Sequence, residues 1–149
     1  MICEMFRVSD KREDNFIAGN SMGGYGALKV ALKECDRFCA AAALSPVTDL
    51  KFIQQECWMD LFHMIFGDTD EIPQEEQILP LLEEKKDDPN RPRIFLGMGR
   101  DDFLYDDSTA FRKKIETLDY DFTYRESEGE HNWVFWDEYI QYALKWMFG

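Results

Sequence analysis

Positive charge is scarce in this chain. Across 149 residues, Lys and Arg number 17 against 30 Asp and Glu, a formal net charge of −13. A surface with that balance cannot displace counterions from a phosphate backbone, so nucleic acid is an unsuitable partner, and an anionic membrane surface repels it for the same reason. Long apolar runs are missing as well: none approaches the roughly 18–20 residues of a membrane span. Met1 to Arg7 lack a basic segment followed by an apolar stretch, so no secretory signal is read there. The four cysteines, Cys3, Cys35, Cys39 and Cys57, have neither paired short spacings nor a histidine pair beside them. That excludes a zinc set and points to reduced thiols, packed as small apolar groups in a cytoplasmic protein. No internal repeat appears, which removes repeat architectures.

What is present suffices for a packed core. Hydrophobic residues make up 45% and aromatics 15%, in a length that suits a single domain over 1–149. Short apolar runs alternate with helical periodicity. Residues 15–20, 38–44, 93–98 and 121–126 predict four strands; the second is mostly alanine, and its shortness before Ser45-Pro46 favours a buried strand over a helix. Between them lie helical faces: Tyr25, Leu28 and Leu32 after Met22, then Phe111, Ile115 and Leu118, then Trp136, Ile140, Ala143 and Met147. Strand–helix alternation of this kind predicts an α/β fold, with about four parallel strands flanked by helices on both faces. Residues 50–88 break the rhythm and predict a helical insertion after the second strand. It reads as one helix over 51–66, stopped by Gly67, and another after Pro80.

The most specific local feature is Gly19-Asn20-Ser21-Met22-Gly23, followed by Gly24, Tyr25 and Gly26. This is G-x-S-x-G between a predicted strand and a predicted helix, the context in which a serine is presented on a sharp, strained turn. Its hydroxyl then lies at a helix start, where the backbone N–H of Met22 can bind a developing oxyanion. No Lys-Ser/Thr completes a P-loop, and no G-x-G-x-x-G follows a strand. A serine needs an oriented base. Of the two histidines, His63 sits in the inserted segment among Trp58, Phe62 and Phe66, as a packed or rim residue. His131, in Glu128-Gly129-Glu130-His131-Asn132-Trp133, follows the last strand and is the candidate base. An acid is expected after an intermediate strand, in Gly99-Arg100-Asp101-Asp102-Phe103; Asp106 and Asp107 stand close behind and suit a helix start instead. Serine, then aspartate, then histidine is the chain order of the α/β-hydrolases.

Residues 16–28, the run from Gly99 to Tyr105, and Gly129-Glu130-His131-Asn132-Trp133 with Phe135-Trp136 closely resemble an esterase family of α/β-hydrolases. That family holds tributyrin esterases, feruloyl and acetyl-xylan esterases, and S-formylglutathione hydrolase (esterase D). The resemblance implies ester hydrolysis through an acyl-enzyme, with no metal and no cofactor. It assigns Ser21, Asp102 and His131 as the triad, with the acid at Asp102 and not Asp101. The residue after the histidine is often Asp in the family and is Asn132 here. Trp58 and Phe62 are candidates for lining an acyl or aryl pocket, with core packing as the alternative. Partners implied are a small-molecule ester and either a second copy or a missing N-terminal half. Only twenty residues precede Ser21, expected to hold a short helix over 2–6 and one strand. At about 30 residues per βαβ unit, roughly 100 residues of the usual fold are absent. The expectation is therefore the C-terminal half of an α/β-hydrolase fold, N-terminally truncated, with one of its two oxyanion donors. A non-catalytic or partner-dependent half-domain, and a thioesterase or acyltransferase on the same triad, are the alternatives.

Overall fold

Four short apolar segments pair side by side into one parallel sheet in the computed structural model, which describes residues 5–56, 59–67, 69 and 71–149. The strands are β1 (Phe16–Asn20), β2 (Ala40–Leu44), β3 (Arg93–Gly99) and β4 (Phe122–Ser127), in the order β1-β2-β3-β4. Register runs from Phe16 opposite Ala40 to Asn20 opposite Leu44, and from Ala40 opposite Arg93 to Leu44 opposite Gly97. Among the described residues the helices are α1 (Met22–Lys33), α2 (Leu50–Glu56), α3 (Met59–Phe66), α4 (Ile78–Lys85), α5 (Tyr105–Ile115) and, after the last strand, α6 (Trp133–Phe148). Arg12–Asp14 and Gln74–Glu76 are 3₁₀ turns.

The alanine run shows how tertiary context overrides propensity. Ala is the best helix former, yet five residues are too few to sustain an isolated helix. Ladders on both sides hold Ala40–Leu44 as a strand in which every residue is buried. Its two faces belong to different cores. Ala41 and Ala43, with Ile94 and Leu96, face Leu28 and Leu32 of α1, Leu82 of α4 and Phe111 of α5. Ala42, Leu44 and Phe95 face Phe135, Tyr139, Ala143 and Met147 of α6. The period of two along a strand thus splits the core between three helices on one side and one on the other. A third cluster, with Val47, Ile53, Phe62, Met98 and Leu104, joins the inserted helices to the carboxyl edge of the sheet.

The architecture agrees with the expected one in strand number, direction and order, and differs in detail. The buried stripe of α6 runs through Phe135, Tyr139, Ala143 and Met147, while Trp136 and Ile140 are only partly buried at its margin. Helix α5 ends at Ile115, so Leu118 packs on the core from the following turn. Among the described residues the stretch expected as one helix over 51–66 is helical over Leu50–Glu56 and Met59–Phe66. The next helix begins at Ile78 and not after Pro80; Pro80 lies in its first turn, where its missing N–H would have had no helical partner. The helix expected over 2–6 falls largely outside the described residues. At the amino edge of the sheet, arginines meet helix ends. Arg12 donates to the carbonyls of Cys35 and Asn90, each at 2.6 Å, and Arg93 donates to that of Met147 at 2.8 Å. Cations there complement the negative carboxyl ends of the helices.

Candidate active site

Strand β1 runs directly into α1 through Ser21, which has φ 53° and ψ −124°. That positive φ is strained for a residue with a side chain. The turn is held from both sides: Ser21 N–H donates to Leu44 O at 2.9 Å, and Ser21 O accepts from Gly24 N–H at 2.9 Å and Tyr25 N–H at 3.1 Å. Glycine is needed at two neighbouring positions for space. A Cβ on Gly19 would come within 2.1 Å of Gly23 O, and one on Gly24 within 2.8 Å of Pro46 Cβ. Gly23, the second glycine of the motif, has open space where its Cβ would stand. The steric demand around the serine therefore falls on Gly19 and Gly24.

At the ends of β3 and β4 two loops close on each other. A Cβ on Gly99 would come within 2.2 Å of Gly129 O, so the loops touch backbone to backbone. Asp102, in the loop after β3, is buried, with its side chain fully covered. Its Oδ1 accepts from Leu104 N–H at 2.9 Å. His131, in the loop after β4, lies with Nδ1 at 3.0 and 2.9 Å from the two oxygens of Asp102 and with Nε2 at 2.9 Å from Ser21 Oγ. Asp101 points elsewhere: it is exposed, and its Oδ2 accepts from Gly129 N–H at 3.3 Å. The three residues singled out from sequence as a triad therefore meet in one contact chain. Such a chain can pass a proton from hydroxyl to imidazole while a carboxylate holds the imidazole's tautomer.

Several residues around this chain have contacts that the sequence reading did not assign. The Phe103 ring lies 4.7 Å from the His131 ring, and Trp136 meets it edge-on at 4.9 Å, so the imidazole is gripped between two aromatics. Asn132 caps α6, accepting at Oδ1 from the N–H groups of Val134 (3.1 Å) and Phe135 (3.2 Å). An Asn immediately before an amphipathic stretch is the local signal that could have found it. Asp107 is buried and bound to Thr48, with burial pushing its carboxyl above the ordinary value against the hydrogen bonds from Thr48.

Beside the elbow, a cavity of about 130 Å³ is bounded by Met22 and Tyr25 of α1, Leu50 and Ile53 of α2, and Phe62 and Phe66 of α3. Phe62 is both a cavity wall and a core residue: it is 4% exposed and its ring lies 5.6 Å from that of Phe66. The other candidate wall, Trp58, lies outside the described residues. His63 is partly buried on α3. At the far wall Tyr25 Oη donates to Glu76 O at 2.8 Å, and Glu76 is ion-paired with Lys29. Burial pushes the Glu76 carboxyl up, but Lys29, Lys33 and the Tyr25 hydroxyl together outweigh it and hold the group below its ordinary value. Among the described residues no cluster of three or more His, Cys, Asp and Glu side chains is arranged to hold a metal ion, and no helix is long and apolar enough to cross a membrane.

A parallel sheet flanked by helices, with Ser21, Asp102 and His131 brought together from the segments after β1, β3 and β4, has the plan of an α/β-hydrolase. The chain belongs to the esterase family described as "Putative esterase", whose model matches residues 1–147. It is 33% identical to an acetyl esterase of Caldicellulosiruptor saccharolyticus, over 96% of this chain and 58% of that protein. A substrate-bound structure of fluorophosphonate-binding serine hydrolase F from Staphylococcus aureus is similar with a TM-score of 0.90 and 33% identity, over 98% of this chain and 58% of that one. An S-formylglutathione hydrolase from the same organism is similar with a TM-score of 0.80 and 32% identity, over 98% and 55% respectively. The chain thus spans a little over half the length of these relatives.

Proposed function

We propose that this chain carries the reacting half of a serine carboxylesterase acting on short-chain acyl or aryl esters. In this reading His131 Nε2 takes the proton of Ser21 Oγ as the oxygen attacks the ester carbonyl. Asp102 holds Nδ1–H and stabilises the imidazolium that forms. The Met22 N–H, at the start of α1, supplies one of the two donors that bind the tetrahedral oxyanion. Collapse releases the alcohol with the proton from Nε2 and leaves Ser21 acylated; water, deprotonated by the same nitrogen, then releases the acid and restores the serine. The cavity beside Met22 supports a short acyl group: at about 130 Å³ it holds a chain of a few carbons, against about 30 Å³ for one water-sized group.

The observation that carries the reading is the unbroken contact from Ser21 Oγ through His131 to Asp102, with every step at 2.9–3.0 Å. A thioester is the second reading, favoured by the similarity to an S-formylglutathione hydrolase, with a thiolate leaving in place of an alkoxide. The test is Ser21→Ala in the full-length protein, with p-nitrophenyl acetate turnover and labelling by a fluorophosphonate as readouts. Both should vanish. Near-normal turnover by Ser21→Ala refutes the esterase reading, and an unsubstituted, folded protein that neither turns over nor labels favours a half-domain that keeps the triad without using it.

A further inference from the structure

Asp107 is a buried carboxylate that the proposed chemistry does not use. It sits in the first turn of α5, five residues after Asp102, and is 6% exposed. Its two oxygens grip one residue across 59 positions of sequence: Oδ2 accepts from Thr48 N–H at 2.7 Å and Oδ1 from the Thr48 hydroxyl at 2.7 Å. Among the described residues no ion pair includes Asp107, and the like-charged Asp49 nearby adds to the cost of its charge. A buried carboxylate without a cation is a poor way to add stability, because an apolar residue of the same shape avoids its desolvation. A group kept where it destabilises points to function.

The gripped segment suggests which function. Residues 44–48 form the underside of the elbow. Leu44 O accepts from Ser21 N–H at 2.9 Å, Ser45 has φ 44° and its N–H donates to Gly97 O at 2.8 Å, and Val47 N–H reaches Ser21 O at 3.4 Å. Pro46 packs against Gly24 so closely that a Cβ there would come within 2.8 Å. Thr48 is the far end of this segment, and Leu50, two residues on, begins the helix that walls the acyl cavity. The other end of the grip belongs to the helix that follows the Asp102 loop, whose turn is closed by Tyr105 N–H donating to Asp102 O at 2.9 Å. We infer that Asp107 is a positioning residue: through Thr48 it locks the segment beneath Ser21 to the loop that carries Asp102, and so sets the separation that His131 must bridge. It touches no reacting atom.

The inference rests on the Ser21–His131–Asp102 reading, and the experiment separates the two. In the full-length protein, reactive sites are titrated with a fluorophosphonate, and kcat for p-nitrophenyl acetate is expressed per titrated site. Thr48→Val and Asp107→Leu should each lower kcat per site by roughly tenfold to a hundredfold, the scale of a misplaced reacting group. The double variant should be no slower than the slower single one, because Asp107→Leu already removes the hydroxyl bond that Thr48→Val removes. Asp107→Asn should restore the rate to within about threefold, since its oxygen accepts from Thr48 N–H and its NH₂ donates to the hydroxyl. A tie that merely holds the fold together would lower the titrated fraction and leave kcat per site unchanged, and that result overturns the inference. Thr48→Val removes only a hydroxyl and carries the test where Asp107→Leu does not fold. Turnover retained by Ser21→Ala overturns the triad reading; loss in Ser21→Ala together with unchanged kcat per site in Thr48→Val overturns the positioning role alone.

Discussion

Asp102→Asn against Asp101→Asn is the sharpest test of the site, because two adjacent residues of one type have opposite surroundings. The Asp102 side chain is fully covered and both of its oxygens lie within 3.0 Å of His131 Nδ1, while Oδ1 also accepts from Leu104 N–H. In Asp102→Asn the amide oxygen keeps the Leu104 contact, which turns the NH₂ group towards Nδ1. A donor facing Nδ1 forces the tautomer with its proton on Nε2, and that nitrogen can no longer accept from Ser21. The expected loss is about 10⁴-fold in kcat, roughly 5 kcal/mol of transition-state stabilisation. Asp101 is exposed and makes one long contact, 3.3 Å to Gly129 N–H, that an amide oxygen reproduces. Its conversion to Asn should change kcat by no more than about twofold, as for an ordinary surface substitution. Hydrolysis of p-nitrophenyl acetate by the full-length variants, normalised to fluorophosphonate-titrated sites, reads both values. A crippled Asp101→Asn beside a near-normal Asp102→Asn would show that the acid loop is out of register by one residue.

Gly19→Ala should destabilise by more than about 3 kcal/mol, because its Cβ would stand 2.1 Å from a backbone carbonyl that cannot move without breaking the elbow, whereas Gly23→Ala, with open space, should stay within about 1 kcal/mol; urea midpoints compare them. Burial raises the Asp107 carboxyl above its unfolded value, so this group favours the fold below about pH 3.9 and that contribution is lost as pH rises through the folded value. The stability of Asp107→Asn relative to the parent should therefore increase from about pH 4 towards neutrality in thermal melts, and an unchanged difference would contradict the desolvated carboxylate. Strand β1 is the outer strand beside β2, with Ala18 exposed, and a hollow of about 280 Å³ lined by Trp133, Trp136 and Ile140 runs along it. An open edge of this kind pairs with other chains, so the isolated 149-residue chain should show concentration-dependent light scattering, and a monomer at every concentration would refute this.

Much of the site was legible because its signals are local. A sharp strand-to-helix turn demands small residues near a serine, and that demand is met within six positions by Gly19 and Gly24 in Gly19-Asn20-Ser21-Met22-Gly23-Gly24. Loops after successive parallel strands all emerge at one edge of the sheet, so chain order alone brings Ser21, Asp102 and His131 to the same side. The alanine-rich strand Ala40–Leu44 was readable as a strand from its shortness and flanks. Resemblance to a family, and no steric argument, chose between Asp101 and Asp102 at that level. Tertiary structure decided what depends on distant partners. Which glycine is crowded follows from Pro46, which packs on Gly24 and leaves Gly23 open. The inward face of α6 follows from Gly97, whose missing side chain admits the ring of Tyr139 and turns Phe135 inward with it. The grip of Asp107 on Thr48 spans 59 residues, and nothing near either residue announces it. Local geometry is set by atoms a few bonds apart and is repeated wherever the same residues recur. A contact across the sheet exists only once the strands have paired, which is why the turn could be read in one dimension and its supports only in three.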